Sequence, residues 1–449
     1  MRILITVHQF FPQYRAGTEV LTLSVVKELI KRGHDVRVFT GHPAKSELAE
    51  DERFDEYEYE NIHIYRFHHS YAPVADQTSM IDVGYNNKLA EHYFNEICES
   101  YRPQLVHHFH LNRLGVRIIN YLADAGIAQY FTPTDFWMIC PTAQLMLNNG
   151  CFCNGPDKYS GNCVKHFAQD TVNRFAANII QIIPNVLFDK ITDVTKRYKN
   201  IKYPMSHEVK AMAHRIDNTV SALNRLQGII SPNRFMSELF IKYGVSPSII
   251  YEKSFGIDFN EGFTEAKYKK WTKDRPLRIG FIGTLAPHKG CDVAIKAVNL
   301  LPDNFASLTI FGSGDEFPDY VKELYSLAAG KGNISFKGVF PNNKILSVLD
   351  EFDVLVVPSV WFENTPLVIY SAQAANCPVI GSNLPGISAV ITHNINGLLF
   401  EAGNYKDLYE KIKSLRDADL TSLSLGSVRP KTSCQYVDDI YDIWEAGHE

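Results

Sequence analysis

Short apolar runs alternate with amphipathic stretches along most of the chain. Near the start, RILITV predicts a buried strand, TEVLTLSVVKELIKRG predicts a helix that ends at Gly33, and HDVRVFTG predicts the next strand. Two further strand-like runs, PQLVHHFH and IAQYFTPTD, carry polar residues at their ends. Those ends would lie at the C-terminal edge of a parallel sheet, where doubly wound folds bind their ligands.

The second half repeats this alternation more regularly. Helical patterns such as DYVKELYSLAAG separate the strand-like runs LRIGFIGTL, ASLTIFGSG, NISFKGVF, DVLVVPS, CPVIGS and NGLLF. Strands that alternate with helices predict a parallel sheet covered by helices on both faces. The fold class predicted is therefore α/β, with two doubly wound parallel-sheet (Rossmann-like) domains.

The domain junction is predicted in residues 252–276, which are polar and charged and lack sustained periodicity. We assign residues 1–255 to an N-terminal domain and residues 256–430 to a C-terminal domain. Residues 431–449 have the apolar spacing of a helix, which we expect to pack back across both domains.

One region breaks the alternation. A helical, cysteine-rich insert is expected at about residues 138–227 of the first domain, with helix breaks at Pro184 and Pro204. The insert is either a helical hairpin packed on the first domain or a device that docks on an anionic membrane through its basic run DKITDVTKRYKNIK.

Composition and charge narrow the function classes. The 449 residues are 45% hydrophobic and 21% charged, as in soluble globular proteins. The formal charge of -5 gives no basic field, so nucleic-acid binding is not expected. The N-terminus lacks a signal-peptide pattern, and the apolar window FAANIIQIIPNVLF is shorter than the roughly 18 residues of a membrane span. With eight cysteines expected to be mostly reduced, a cytoplasmic protein is predicted.

Glycine-rich loops bring backbone N–H groups close to phosphates at helix N-termini. GSGDEF, at residues 312–317, lacks the third glycine of the dinucleotide fingerprint. GTLAPHKG, which contains Gly283 and Lys289, departs from the P-loop in spacing and in the residue after the lysine. Neither loop supports NAD binding or ATP hydrolysis.

Taken in order, the loops form a more specific pattern. FIGTLAPHKG, FGSGDE, FKGVF, DVLVVPSVWFENTPLVIYSAQAANCPVIGSNLPGI and NGLLF resemble the donor domain of the retaining glycosyltransferases of family four, the glycosyl transferases group 1, which have the GT-B fold. FFPQYRAGTE, PQLVHHFHL and TPTDFWMICP resemble the N-domain signatures of that family. The resemblance covers nearly the whole chain except the helical segment.

The resemblance implies a GT-B enzyme with two domains that face a cleft. The first would bind a saccharide or lipid-linked saccharide acceptor, and the second a nucleoside-diphosphate sugar. A hexosyl group would be transferred with retention of configuration, usually in bacterial surface polysaccharide or lipopolysaccharide biosynthesis, by a protein that is cytoplasmic or peripheral at the inner membrane face. No cofactor would be required, because protein groups neutralise the diphosphate.

The departing diphosphate needs fixed amides and a cation around it. By resemblance, Lys289 is that cation, Glu363 accepts hydrogen bonds from sugar hydroxyls, and Asp135 completes the catalytic set. The alternative interpretation of Lys289 is a solvated lysine, and that of Glu363 is a carboxylate that stabilises a helix N-terminus. The expected donor-binding residues are Gly17, Thr284, Gly312, Gly314, Val339, Asn364, Thr365, Pro366, Leu367 and Ser371.

Three positions depart from the family pattern. Ser371 stands where a second glutamate usually binds ribose, Thr134 replaces the histidine before Asp135, and Thr284 stands where arginine is frequent. These changes would weaken the donor site or retune it towards another sugar. They also motivate two rival hypotheses: a non-catalytic scaffold that binds nucleotide or glycan, and a nucleotide-sugar epimerase, for which the cleft carboxylates are not found.

Histidines and cysteines provide further candidates. A strand would place His108 and His110 on one face, where they could bind the acceptor together with Thr134, although core packing explains the two histidines as well. A possible structural zinc site consists of Cys140, Cys153, Cys163 and His166, because thiolate and imidazole suit tetrahedral zinc. Reduced thiols and disulfides are the alternatives.

Overall fold

The computed structural model describes residues 1–44, 48–70, 77–147, 149–171, 173–198, 201–259, 267–416 and 418–447. The chain divides into two compact units. The first comprises Met1–Lys253 together with Val437–Glu449, and the second comprises Ser254–Tyr436.

A sheet of eight strands forms the centre of the first unit. Across the sheet the order is β3-β4-β2-β1-β5-β6-β7-β8. All neighbours are parallel except β3 and β4, which form an antiparallel pair at the edge. The strands are β1 (Arg2–Val7), β2 (Asp35–Pro43), β3 (Phe54–Tyr59), β4 (Ile62–His69), β5 (Leu105–His108), β6 (Ala128–Phe131), β7 (Gly228–Ser231) and β8 (Ile250–Glu252).

Helices separate these strands along the chain. They are α1 (Gly17–Lys31), α2 (Met80–Tyr85), α3 (Lys88–Tyr101), α4 (Arg117–Asp124), α5 (Gly161–Thr171), α6 (Arg174–Ile182), α7 (Asn185–Arg197), α8 (Ser206–Leu223) and α9 (Arg234–Lys242). Strand β1 is buried at every position after Arg2, and β5 is buried throughout. A continuous apolar run is what a strand covered on both faces requires.

Helices α5 to α8 lie within the region where a helical insert was predicted. Pro184 lies between α6 and α7, and Pro204 lies just before α8, so both predicted breaks are observed. Helix α7 packs against α5 and α8. A proline ends a helix because it lacks an N–H donor and because its ring clashes with the preceding turn.

The second unit contains a six-stranded parallel sheet. Its order is β12-β11-β10-β13-β14-β15, so the strand order reverses between β10 and β13. A two-stranded parallel sheet adds β9 (Gly256–Ile257) and β16 (Lys431–Thr432). The six strands are β10 (Leu277–Ile282), β11 (Ala306–Phe311), β12 (Ile334–Gly338), β13 (Val354–Val357), β14 (Val379–Ser382) and β15 (Gly397–Phe400).

The second sheet is covered on both faces, as predicted. Val354 and Val356 belong to one buried cluster, whereas Leu355 and Val357 belong to the other, because successive side chains of a strand point to opposite faces. The helices of this unit are α10 (Cys291–Asn299), α11 (Pro318–Ala328), α12 (Ile345–Asp350), α13 (Leu367–Ala374), α14 (Pro385–Ser388), α15 (Tyr405–Ser414) and α16 (Leu420–Leu425).

The last helix, α17 (Ser433–Ala446), contributes its final turns to the first unit. Trp444 Nε1 donates a hydrogen bond to His107 Nδ1 at 3.3 Å, and the Tyr130 hydroxyl donates to the Trp444 carbonyl oxygen at 2.9 Å. Within the described ranges, none of the helices combines the length and the apolar composition needed to cross a membrane.

Candidate functional site

The loops that follow β10 and β13 lie side by side where the strand order of the second sheet reverses. In open parallel sheets, this reversal opens a crevice at the carboxyl ends of the strands. Residues 283–290 leave β10 and end in a 3₁₀ turn, Pro287–Lys289, whereas residues 358–366 leave β13 and lead into α13. The two segments are in contact, since Val360 N donates to the His288 carbonyl oxygen at 2.9 Å.

Lys289 and Glu363 form an ion pair at this crevice. The distance from Lys289 Nζ to Glu363 Oε1 is 2.6 Å. The same carboxylate oxygen accepts hydrogen bonds from Ser359 Oγ at 2.7 Å and from Trp361 Nε1 at 2.8 Å. The Glu363 side chain is 8% exposed, whereas that of Lys289 is 26% exposed. The carboxylate is therefore held in one orientation by three donors.

The environment keeps Glu363 ionised. Burial alone would raise the pKa of this carboxyl, but the Lys289 ammonium and the hydrogen bonds from Lys289, Trp361 and Ser359 outweigh burial, so that the pKa is below its ordinary value. A carboxylate in this state accepts hydrogen bonds and donates none.

Aromatic rings cover the ion pair. Lys289 Nζ lies 5.1 Å from the centroid of the Trp361 ring, and the His288 ring lies 4.2 Å from the same indole. Burial, and then the neighbouring Lys289 charge, lower the pKa of His288 to about 4, so this imidazole is neutral at pH 7. No role was predicted from the sequence for His288, Ser359 or Trp361. The pattern of Trp361 two residues before Glu363 was the available signal.

Two glycines allow the loops to approach each other. At Gly290, φ is +68°, and a Cβ atom there would lie 2.0 Å from the Pro358 carbonyl oxygen. A Cβ atom on Gly386 would lie 1.8 Å from the Glu363 carbonyl oxygen. Any side chain at either position would displace the backbone that carries Lys289 or Glu363.

The segment from Asn364 to Leu367 connects Glu363 to helix α13. Thr365 has φ of 72°, a left-handed conformation that is rare for a β-branched residue and that is often found at functional sites. Helix α13 starts at Leu367, directly after Pro366. Its N-terminal amides and dipole favour an anion there. The Asn364 and Thr365 side chains are nearly buried.

The remaining predicted donor residues follow neighbouring strands. Thr284 follows β10, Gly312 and Gly314 follow β11, and Val339 follows β12. A Cβ atom on Gly312 would lie 1.9 Å from the Gly283 carbonyl oxygen, so the loops after β10 and β11 are in close contact. Val339 is 71% exposed. The structure thus brings these residues to the same edge of the sheet as Lys289 and Glu363.

Ser371 lies one turn into α13. It is buried, and its hydroxyl donates a hydrogen bond to the Leu367 carbonyl oxygen at 3.3 Å. This internal bond explains how a serine is accommodated at the position. Its expected role in ribose binding stays a prediction.

The first unit has its own polar cluster at the ends of β1, β5 and β6. His110 Nε2 lies 2.7 Å from Asp135 Oδ2, and the His110 ring lies 4.0 Å from the His8 ring. His8 Nε2 lies 3.8 Å from Glu19 Oε1, and the Ala16 N–H donates to Glu19 Oε2 at 2.7 Å. Gly17, the predicted glycine of this loop, is the first residue of α1.

Burial dominates the titration of Glu19 and His8. It raises the pKa of Glu19 to about 7, although hydrogen bonds from Gln9 and Ala16 act in the opposite direction. Burial, followed by the charges of His110 and Arg113, lowers the pKa of His8 well below its usual value. Glu19 and His8 are residues that the sequence analysis did not assign. The glutamate of the AGTE stretch was the available signal.

His108 lies inside the unit. Its Nδ1 is 2.8 Å from Thr6 Oγ1, its Nε2 is 3.2 Å from Gln129 Oε1, and it is completely buried. Strand β5 ends at His108, so His110 lies beyond the strand that was expected to align the two. Core packing accounts for His108, whereas His110 reaches Asp135. Thr134 donates to the Phe109 carbonyl oxygen at 3.3 Å.

The four predicted zinc ligands line one cavity of about 60 Å³ in the first unit. Among the described residues, however, no three His, Cys, Asp or Glu side chains are grouped closely enough to hold a metal ion. Burial, followed by the Cys140 and Cys153 thiols, raises the pKa of Cys163 well above its usual value. The structure brings Cys140, Cys153, Cys163 and His166 around a common space, and zinc binding stays a prediction.

Comparison with known proteins shows similarity to glycosyltransferases. Residues 263–424 match the family model described as glycosyl transferases group 1. AmsK, an amylovoran biosynthesis glycosyltransferase of Erwinia amylovora, is 30% identical over 175 residues, which cover 36% of this chain and 42% of AmsK. An uncharacterised glycosyltransferase of Methanocaldococcus jannaschii is 32% identical over 127 residues, or 28% of this chain and 32% of that protein. The chain thus spans 32% to 42% of the length of these curated relatives.

The structural similarity to known glycosyltransferase structures covers more of the chain than the sequence similarity does. The crystal structure of HepE from Anabaena in complex with UDP-glucose superimposes with a TM-score of 0.60 at 15% identity, covering 98% of this chain and 99% of HepE. The chain is therefore a GT-B protein of the α/β class, as predicted. Residues 263–424 of its second unit match the group 1 glycosyltransferase family model, which confirms the resemblance found in the sequence.

Proposed function

We propose that the protein transfers a hexosyl group from a nucleoside-diphosphate sugar to a saccharide or lipid-linked saccharide, with retention of configuration. The observation that carries this proposal is the Lys289–Glu363 pair, held at the crevice of the second sheet within a group 1 glycosyltransferase domain. The nucleotide-sugar would bind to the second unit and the acceptor to the first.

The arrangement suits a diphosphate leaving group. Lys289, which pairs with Glu363, and the N-terminal amides of α13, which starts at Leu367, provide positive potential for the negative charge that would develop on the diphosphate as the sugar leaves. The ionised Glu363 would accept hydrogen bonds from the sugar hydroxyls. Because these protein groups neutralise the diphosphate, the proposal requires no cofactor.

The polar cluster of the first unit supports an acceptor role. Asp135 is 28% exposed and is oriented both by His110 and by the Trp137 N–H, which donates to Asp135 Oδ1 at 2.8 Å. An oriented carboxylate that remains accessible can accept a hydrogen bond from an acceptor hydroxyl. Asp135 is thus proposed to complete the catalytic set, with His110 as a positioning residue.

The biological setting is also proposed. The name of AmsK assigns it to amylovoran biosynthesis, and HepE was crystallised with UDP-glucose. By analogy, this chain would act in surface polysaccharide assembly, use a UDP-linked or related donor, and work in the cytoplasm or at the inner face of the membrane. Analogy of this kind supports the class of reaction and leaves the sugar to experiment.

The first test is thermal stability in the presence of UDP, GDP, dTDP, ADP and CMP. A ligand at a hundred times its dissociation constant stabilises a protein by about 2.7 kcal/mol. We expect one diphosphate to stabilise the parent selectively, and the corresponding nucleotide-sugars then define the transfer assay. Ser371→Glu is measured beside the parent, because a response of this variant alone would favour the non-catalytic scaffold.

Product analysis completes the test. Transfer by the parent that is abolished in Glu363→Ala would exclude the scaffold hypothesis. Conversion of the nucleotide-sugar without any acceptor into its epimer would instead overturn the transferase proposal.

A further inference from the structure

Helices α6 and α7 expose apolar side chains along one face of each helix. In α6, Phe175, Ile179 and Ile182 are 77%, 50% and 84% exposed. Their spacing of four and three residues places them on a single stripe of the helix. A stripe of this kind normally faces the protein core, so its exposure calls for a covering surface.

The stripe of α7 is longer and has the same spacing. It consists of Leu187, Ile191 and Val194, followed by Tyr198 directly after the helix, and these side chains are between 39% and 62% exposed. In contrast, Thr192 and Thr195 are buried, and their hydroxyls donate to carbonyl oxygens one turn earlier. Two polar residues of α7 thus face inwards, whereas several of its largest apolar residues face solvent, which is the reverse of their places in an ordinary surface helix.

This exposure is concentrated in one part of the fold. Of the large hydrophobic side chains exposed among the described residues, eight lie between positions 175 and 198, and the others are scattered over the rest of the chain. Isolated exposed apolar residues are common, whereas a contiguous group marks an interaction surface. We name these eight residues the apolar face: Phe175, Ile179, Ile182, Val186, Leu187, Ile191, Val194 and Tyr198.

Basic residues accompany the apolar face. Residues 158–202 contain eight lysines and arginines against three aspartates, although the whole chain has a formal charge of -5. Lys190 is exposed beside Ile191, and Arg197 is 64% exposed beside Tyr198. Asp193 pairs with Arg197 at 2.8 Å and Asp217 pairs with Lys196 at 2.6 Å, which leaves six lysines and arginines against two aspartates in residues 158–202. The local charge is therefore positive where the apolar side chains reach solvent.

We propose that the apolar face docks the protein on an anionic phospholipid bilayer. Exposed Phe, Ile, Leu and Val side chains would enter the boundary between headgroups and acyl chains, while the surrounding lysines and arginines would contact lipid phosphates. A second copy of the chain is a poorer occupant, because two such basic segments placed face to face would repel each other. This inference rests on the proposed function only in its purpose, which is to bring the enzyme to a lipid-linked acceptor.

The test is flotation of the full-length protein with vesicles of phosphatidylcholine alone or with 30% phosphatidylglycerol. We expect the parent to bind the anionic vesicles at least tenfold more tightly than the neutral ones, and to be released by high salt. The triple variant Phe175→Ser, Ile182→Ser, Leu187→Ser should lose at least tenfold in binding. Lys190→Gln should weaken binding to the anionic vesicles alone.

A matched control carries Leu300→Ser, Leu425→Ser and Val428→Ser, which remove similarly exposed apolar residues from the second unit. We expect this control to bind vesicles like the parent. The triple variant should keep the nucleotide-dependent thermal stabilisation of the parent, which separates loss of docking from loss of folding or of the proposed function. Absence of binding by the parent, or equal binding by the triple variant, would overturn the proposal. Self-association that the same variant abolishes would assign the apolar face to a second copy instead.

Discussion

Lys289 Nζ lies 2.6 Å from Glu363 Oε1, although the two residues are 74 positions apart in the chain. The pair joins the loop after β10 to the loop after β13. Because Ser359 and Trp361 donate to the same oxygen, the carboxylate is fixed before any ligand arrives. A preorganised charge of this kind stabilises a transition state without the cost of reorganisation.

Replacement of Glu363 by Gln should reduce kcat/KM for sugar transfer by about 10²- to 10³-fold. The amide keeps the size of the side chain but removes the charge opposite Lys289 and replaces one of the two acceptor oxygens by an NH₂ donor. Steady-state kinetics measure the loss. Glu351→Gln, an exposed position in the same unit, is the matched control and should behave like the parent. Full activity of Glu363→Gln would remove this residue from the catalytic set.

Trp361→Phe should reduce kcat/KM by about 10- to 100-fold, the range expected for loss of a hydrogen bond to a charged group. Phenylalanine retains an aromatic ring beside Lys289 but lacks the indole N–H that donates to Glu363. That N–H holds the pKa of Glu363 down, so its removal should raise this pKa and shift the acid limb of the pH–rate profile to higher pH. An unchanged acid limb would contradict this role, whatever the change in rate.

Glu19→Gln should change how stability depends on pH. The pKa of Glu19 is raised from 4.5 to about 7 in the folded protein, mainly by burial. A raised pKa means that stability is greatest below pH 4.5 and falls as the pH rises through 7, by about 3 kcal/mol in total. The variant should lack this decrease, and should therefore be more stable than the parent at pH 8.

Urea unfolding at pH 5 and pH 8 measures the effect of Glu19→Gln. Glu410→Gln, at a 62% exposed carboxylate, is the control and should follow the parent at both pH values. If Glu19→Gln and the parent lose the same stability between the two pH values, the folded carboxyl is ionised across this range.

Zinc added to chelator-treated protein should bind with a stoichiometry of about one per chain at the cavity lined by Cys140, Cys153, Cys163 and His166. Binding requires the four side chains to converge from their present positions. Once bound to zinc, the thiolates should react more slowly with an alkylating reagent. Elemental analysis and mass spectrometry after alkylation report the two effects, with Cys434→Ser as a control. Alkylation that zinc does not alter would leave reduced thiols as the explanation.

The position of the candidate donor residues at one edge of the second sheet could be predicted because their identity and spacing are local. The order of the loops containing Gly283, Gly312 and Glu363 indicated a group 1 donor domain before any contact was known. The sequence did not indicate which donors hold Glu363. Trp361 reaches the carboxylate, two residues later in the chain, through the conformation of the loop that joins them.

The sequence by itself determined the alternation of strands and helices, the breaks at Pro184 and Pro204, and the similarity of the second unit to group 1 glycosyltransferases. The periodicity of apolar residues and the effect of proline on a helix both act within a few residues, so both can be recognised in the sequence alone. Only the tertiary structure decided that His108 is enclosed while His110 meets Asp135, and that the apolar residues of α7 face solvent. These outcomes depend on which surfaces of distant elements meet. The spacing of apolar residues along a helix defines an apolar face, but it does not say whether that face meets the core or the solvent.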